Sequence, residues 1–487
     1  MTQNIAIVGS GFLGMTLALR LAKSGANVTL FESANEIGGL ASAWEIGDVV
    51  WDRHYHVTLA SDSHTRKLVE ELGLGDDFNW VETRTGFYTD GKLVSMSDTM
   101  EFLKFPPLGL ISKLRLGGTI FYASRVKDWK KLEKVTVENW LTRLSGKRTF
   151  EKIWKPLLKA KLGEAYKETS AAFIWATIQR MYAARNSGLK KEMFGYVRGG
   201  YARVLERFGE VLLENGVEIR LNSRIESVEK LEDGKIRVCM AKARRNKDAK
   251  PHIMPQKTKY AKFQTAAAVT PGFSGAFMSE PDLWVDRVVA FSRVRANDTF
   301  DKVILTCPSN VAAKMVPQLS KIEKQNLENI RYQGIVCASV LMKCSLSRFY
   351  VTNITDEAPF TGVIEMSALV DKKEFDRNAL VYLPKYVAPD DELFEKSGKE
   401  IESIFLDGLE KMYPNFRRKD VLAFKVSWVR QVFPLPVLNY SRDLPSINTS
   451  IDGLYIVNSS HIVNGTLNVN ETVQLAENFF KKNLAAD

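Results

Sequence analysis

The sequence predicts an α/β chain of two domains: a parallel, helix-covered sheet that binds a dinucleotide, and a second domain of mixed sheet and helices. Three observations carry this. Ile5-Ala6-Ile7-Val8 is an unbroken apolar run, as in a strand buried on both faces. Gly9, Gly11 and Gly14 follow in the spacing GxGxxG, and a helical pattern begins at once. Val28 to Phe31 is a second strand, closed by Glu32.

Each element has a physical reason. Gly9 permits the tight turn, Gly11 lets backbone N–H groups approach a pyrophosphate, and Gly14 lets helix and strand pack closely. Phe12 and Leu13 start the helix on that turn, with the partial positive charge of its N-terminus toward the phosphates. Leu17, Leu21, Ala18 and Ala22 repeat at helical spacing until Gly25 ends the helix. Glu32, with Ser33 beside it, is expected to accept hydrogen bonds from a ribose diol. Gly38 and Gly39, followed by Leu40 and Ala41, form a second close-approach segment for which a plain NAD fold has no need.

This combination resembles the flavin-containing amine oxidase, protoporphyrinogen oxidase and phytoene desaturase superfamily, and most closely its protoporphyrinogen-oxidase-like branch. The resemblance implies a glutathione-reductase-like, Rossmann-type domain with FAD as cofactor. The Gly38–Gly39 segment would lie along the FAD diphosphate. Many members carry Arg after the glycine pair, whereas this chain has Leu40, so that charge is missing or comes from elsewhere. Ile225, in the strand that follows the helix 202–215, would back the adenine. Gly465, Thr466, Asn468 and Val469 open the last helix, whose N-terminus would face the flavin and stabilise its reduced, anionic form.

The chain has 487 residues, enough for two cores. On the pattern, the dinucleotide domain is expected at 1–88, 195–309 and 451–487, with a polar, basic insertion at 240–300. The substrate domain is expected to have a helical part, 89–194, and a sheet part, 310–450. The net charge is +11. Its excess is local: residues 104 to 161 hold fifteen Lys or Arg against four acids, and 241 to 262 hold eight against one. No nucleic-acid motif accompanies the basic charge, so no nucleic-acid partner is expected. The four cysteines form no CxxC pair and read as reduced and buried, and no His or Cys cluster completes a metal site. With no signal-like segment at Met1–Asn4 and no spanning stretch, a cytoplasmic protein is expected. Apolar and basic residues interleaved between Phe102 and Lys131 suggest either core-facing helices or peripheral membrane contact.

His54 and His56, two of only five histidines, would share one face of a strand, and either could bond the cofactor or face the flavin site. In the second domain Tyr332, Tyr350 and Phe433 are candidate substrate contacts. Glu365 and Arg430, with His56, are candidate catalytic groups. Glu365 sits in an apolar run, where an unpaired carboxylate is costly; it reads as a base of raised pKa or as the ion-pair partner of Arg430. In amine oxidases of the superfamily a Lys on a strand is held through water to flavin N5. Laying this chain on that pattern puts Ala338 in its place and Lys343 later, so a poor amine oxidase is expected. The expected function is hydride transfer from an organic small molecule, either amphiphilic or a nucleotide-sugar, to flavin N5, with reoxidation by oxygen or another acceptor. Two alternatives stand beside it: a flavoenzyme without net redox change, like UDP-galactopyranose mutase, and a flavin-binding scaffold without turnover.

Overall fold

A computed structural model describes residues 2–186, 193–241, 297–463 and 467–485. Strand β1 (Asn4–Val8), helix α1 (Phe12–Lys23) and strand β2 (Asn27–Phe31) follow the expected order. Strand β1 lies at the centre of a five-stranded parallel sheet. On one side stand β2 and Glu218–Arg220; on the other stand Lys302–Leu305 and Leu454–Ile456. The alternation of β1 explains its unbroken apolar sequence. Ile5 and Ile7 pack with α1 and the helix Gly200–Glu214 in one core, while Ala6 and Val8 pack with Ile225, Val228, Ile236 and Val238 in another.

The second sheet has seven strands. Next to one edge of it is an eleven-residue strand in which every residue is buried, β3 (Tyr332–Met342). It pairs antiparallel with β4 (Ala379–Val387) and with β5 (Val421–Pro434). One face of β3, with Val336, Ala338 and Val340, packs under the helix Gly398–Met412. The other, with Ile335, Cys337 and Leu341, meets Trp51 of the strand Val49–Asp52. The hairpin Thr85–Thr89/Lys92–Ser95 joins this sheet through a parallel pairing with Val351–Ile354. The expected boundary at residue 88 therefore falls inside a strand of the second sheet.

The helical block between residues 99 and 186 packs on Phe87, Phe433 and Leu435. It includes helix α2 (Lys155–Leu162). Within the block, the helix Leu110–Arg125 splits the two readings of the 102–131 stretch. Phe105, Leu108, Leu116 and Ala123 are buried, but Leu110 is 67% exposed, Ile111 76%, Leu114 65% and Phe121 56%. Lys113 points inward and donates to the Leu103 carbonyl at 2.6 Å. No helix among the described residues is long and apolar enough to cross a membrane.

The chain closes with helix α3 (Val469–Asn483), packed on α1 and on the helix Ser63–Glu71. Arg20 of α1 clamps this junction, bonding Glu477 and Glu71 at 2.7 Å each. No disulfide joins any of the four cysteines, all of which are among the described residues. Cys337 is buried as expected; Cys239 and Cys307 are partly buried, and Cys344 is exposed. The last departs from expectation because its strand ends at Met342 and Cys344 lies in the bend beyond.

Candidate active site

Two glycine segments lie side by side at the C-terminal end of β1. Gly9, at φ +108°, turns the chain, and Gly11 stands as the N-cap of α1 with no side chain capping the helix. Gly38 bridges Gly11, and its N–H donates to the Ser10 carbonyl at 2.9 Å. A Cβ on Gly14 would lie 1.9 Å from the Gly9 carbonyl oxygen, which explains that glycine by packing alone. A Cβ on Gly11 would meet nothing within 4 Å. Packing therefore does not require glycine at that position, whereas a ligand on the uncapped helix end does. Phe12, Leu13 and Ala41 are buried, leaving backbone to line the cradle. The side chain of Ile225 is likewise committed to the core with Ala6, Val8 and Phe31.

Glu32 closes β2 against the same turn. One carboxylate oxygen accepts from the Ser10 N–H at 2.9 Å and from its hydroxyl at 2.7 Å. The other accepts from the Ala34 N–H at 2.9 Å and from the Ser33 hydroxyl at 3.2 Å. Arg53 stands beside the segment that holds Leu40. The Arg53 N–H bonds the Ser42 carbonyl at 2.9 Å, and its guanidinium pairs with Glu36 at 2.7 Å. Asn468 caps α3 by accepting from the Glu471 N–H at 3.0 Å, and Val469 begins the helix. Gly465 and Thr466 lie outside the described residues.

The histidine pair departs from expectation. Residues 53–57 are irregular backbone, so the two rings do not share a strand face. The Nδ1 of His54 lies 3.1 Å from the Leu40 carbonyl, and its buried Nε2 has no protein partner. Burial first, and the neighbouring His56 second, push His54 down to about 4, so near neutral pH it donates from Nδ1 and offers Nε2 as an acceptor. His56 instead stacks on Tyr201, with ring centroids 4.9 Å apart, and its Nδ1 lies 3.5 Å from Asp52. It lines an enclosed cavity of about 10 Å³ with Trp51, Asp52, Thr58, Gly200 and Tyr201, room for a single water at most. That cavity is no place for an organic substrate, so the expectation of His56 as a catalytic group gives way to a packing role.

Glu365 and Arg430 form no ion pair. Glu365 is fully buried and accepts from the Leu346 and Ser347 N–H groups, both at 3.0 Å, and from the Ser367 hydroxyl at 2.9 Å. Burial raises its pKa, and these donors oppose the rise. Arg430 lies at the surface, bonded to Glu395 and to the Pro389 carbonyl, each at 2.6 Å. Alternation along β5 turns it away from the interior. Tyr332 is buried against Ser309, whose N–H it accepts at 2.9 Å, and Tyr350 is buried beside Phe194. Both are core residues.

Phe433 alone among the expected substrate contacts joins a cluster at the meeting of α2, β4 and β5. Its ring packs edge-on against Tyr386, and the Tyr386 and Tyr55 hydroxyls bond at 2.8 Å. Tyr55 follows His54 in sequence, which ties this cluster to the glycine cradle. Lys161 of α2 completes it, its Nζ 3.8 Å from the centre of the Tyr386 ring and 5.0 Å from that of Phe433. The sequence pattern had pointed to β3 for a lysine and had given Lys161 no role. There Ala338 faces the helix Gly398–Met412, and Lys343 is exposed.

The profile of the family described as flavin containing amine oxidoreductase matches residues 14–251 and 285–468, most of the chain. The chain belongs to that family. A 15-cis-phytoene desaturase from Glycine max is 24% identical over 252 residues, covering 48% of this chain and 44% of the desaturase. A mitochondrial protoporphyrinogen oxidase from Nicotiana tabacum is 24% identical over 170 residues, 33% of each chain. The chain thus spans about half or less of the length of these curated relatives. An oxidoreductase from Methanosarcina mazei superposes with a TM-score of 0.69 at 15% identity, covering 98% of this chain and all of that one, which shows the shared fold. FAD is the cofactor of this flavoprotein family, and the uncapped helix end, the open space at Gly11 and the unpartnered Nε2 of His54 fit it.

Proposed function

We propose that the protein oxidises an amphiphilic or largely apolar organic small molecule, taken from a membrane surface. FAD, when bound, supplies a two-electron acceptor. The glycine segments at Gly9–Gly14 and Gly38–Gly39 hold its diphosphate, Glu32 its ribose, and His54 orients the irregular segment that carries Tyr55. The aromatic cluster of Tyr55, Tyr386 and Phe433 excludes water and presents ring faces to the substrate. The observation that carries this reading is the continuity from the glycine cradle through Leu40 and His54 to Tyr55 and Tyr386.

The exposed row of Leu110, Ile111, Leu114 and Phe121, with Lys104, Arg125, Lys127, Lys130 and Lys131 at its margins, supports the membrane part. Apolar side chains enter the interface, and each nearby basic residue adds about 1 kcal/mol at most on an anionic surface. The test is an absorption spectrum of the purified protein, then anaerobic bleaching by a panel holding a polyene, a porphyrinogen, a simple amine and a nucleotide-sugar. Bleaching is expected with one of the first two and not with the amine. A colourless protein that refuses added FAD overturns the reading, and so does rapid peroxide formation from simple amines.

A further inference from the structure

Among the described residues no carboxylate reaches Lys161, and no hydrogen bond is formed by its ammonium. The other lysines of its helix are paired: Lys155 with Glu151 at 2.7 Å and Lys159 with Glu164 at 2.6 Å. Lys161 instead points between the rings of Tyr386 and Phe433. The groups around it are neutral. Tyr386 on β4 and Tyr55 beside it are both pushed up by burial, so neither hydroxyl ionises near neutral pH. From β3 comes Gln333, whose buried amide nitrogen also lacks a partner and lies 3.9 Å from where a Cβ on Gly163 would stand. On β5 Arg430 turns outward to Glu395. A cation placed among apolar rings without a counter-ion is costly, and the attraction of two ring faces offsets only part of that cost. Desolvation accordingly lowers the Lys161 pKa to about 7.

We propose that Lys161, together with the Gln333 amide, receives an anionic oxygen of the substrate, a carboxylate or a phosphate, and that its ammonium excludes amines from the ring faces of Tyr386 and Phe433. The assignment rests on the oxidoreductase reading above and names the class of substrate for the same site. An incoming oxyanion would supply the missing counter-ion and accept from both unpartnered donors. An incoming ammonium would find its aromatic surface already taken by a like charge.

The sign of the pH dependence follows. A bound anion favours the charged lysine, so its pKa is higher in the complex than in the free enzyme. Affinity for an anion is then flat below about 7 and falls as pH rises above it.

The test uses the FAD-loaded full chain and four short probes of equal chain length: octanoate, octyl phosphate, octanol and octylamine. Binding is followed by calorimetry and by the shift each probe causes in the flavin absorption bands. At a pH of about 6, octanoate or octyl phosphate is expected to bind about tenfold tighter than octanol, with octylamine weakest. The two anions tell a carboxylate site from a phosphate site. Lys161→Met should erase the anion preference and improve octylamine binding, while Lys161→Arg should keep the preference and lose its decline above about 7. Retained flavin in each variant certifies the fold. Equal affinity for octanol and both anions, or a preference that survives Lys161→Met, overturns the proposal. Absence of flavin from the wild-type protein would sink the oxidoreductase reading instead.

Discussion

Two glycines three residues apart, Gly11 at the N-cap of α1 and Gly14 inside its first turn, answer to different forces, and substitution separates them. At Gly14 an added Cβ collides with the Gly9 carbonyl at 1.9 Å, so Gly14→Val should fail to fold, seen as aggregation or a large fall in melting temperature. At Gly11 the same atom meets nothing within 4 Å, so Gly11→Val should keep its circular dichroism and melting temperature as apoprotein yet purify colourless. A yellow Gly11→Val protein would contradict the cradle. His54 sets a further expectation at this scale. Its pKa falls from 6.5 to about 4 on folding, so the unfolded chain binds more protons between those values. Stability present above about pH 6.5 is therefore lost as pH falls toward about 4, by roughly 3 kcal/mol for this one ring. Urea titrations across that range should show a shallower fall in His54→Asn than in the wild type.

The helix Leu110–Arg125 and the strand that ends in Glu365 illustrate how single elements divide their duties. The helix buries Leu116 and Ala123 and shows Ile111 and Leu114 to solvent, so Ile111→Glu with Leu114→Glu should leave the melting temperature within a degree or two while lowering sedimentation with anionic vesicles about tenfold. Unchanged vesicle binding would end the membrane reading. Glu365 ties the bend after β3 to the strand Gly362–Glu365, which lies on the far side of β4, and Glu365→Ala would leave two backbone N–H groups without their acceptor. It should cost about 2–4 kcal/mol in denaturant unfolding, with the flavin spectrum unmoved. The β1–α1–β2 unit was legible in the sequence because its glycines, apolar run and closing acid act on neighbours in the chain. Glu365 was legible as a buried carboxylate but not in its role, since its donors come from a bend whose path is set only by the completed sheet. Lys161 escaped for the same reason: the rings it faces arrive from β4 and β5, far along the chain. The outward turn of Arg430 depends on the register of β5, which shifts at Gln333/Ile335 and is invisible in a local pattern.

At the scale of the whole molecule, strands far apart in the sequence share one sheet. Met193–Val197 pairs with Thr58–Leu59 and Phe78–Glu82, so segments on either side of the helical block meet in a small sheet. The hairpin through Asp90–Gly91 belongs to the second sheet through a parallel partner at Val351–Ile354 that no local signal announces. The strand Ile236–Met240 and the strand Asn297–Phe300 are antiparallel neighbours, in register from Ile236–Phe300 to Cys239–Asn297. The chain thus departs from and returns to adjacent positions on one rim, as at the two ends of a hairpin. Splicing a short Asn-Gly turn between the two strands would preserve every described pairing, so the flavoprotein scaffold is expected to survive that excision with its colour intact. The rim then becomes a port, where sequence can be removed or a foreign domain inserted without rerouting the fold.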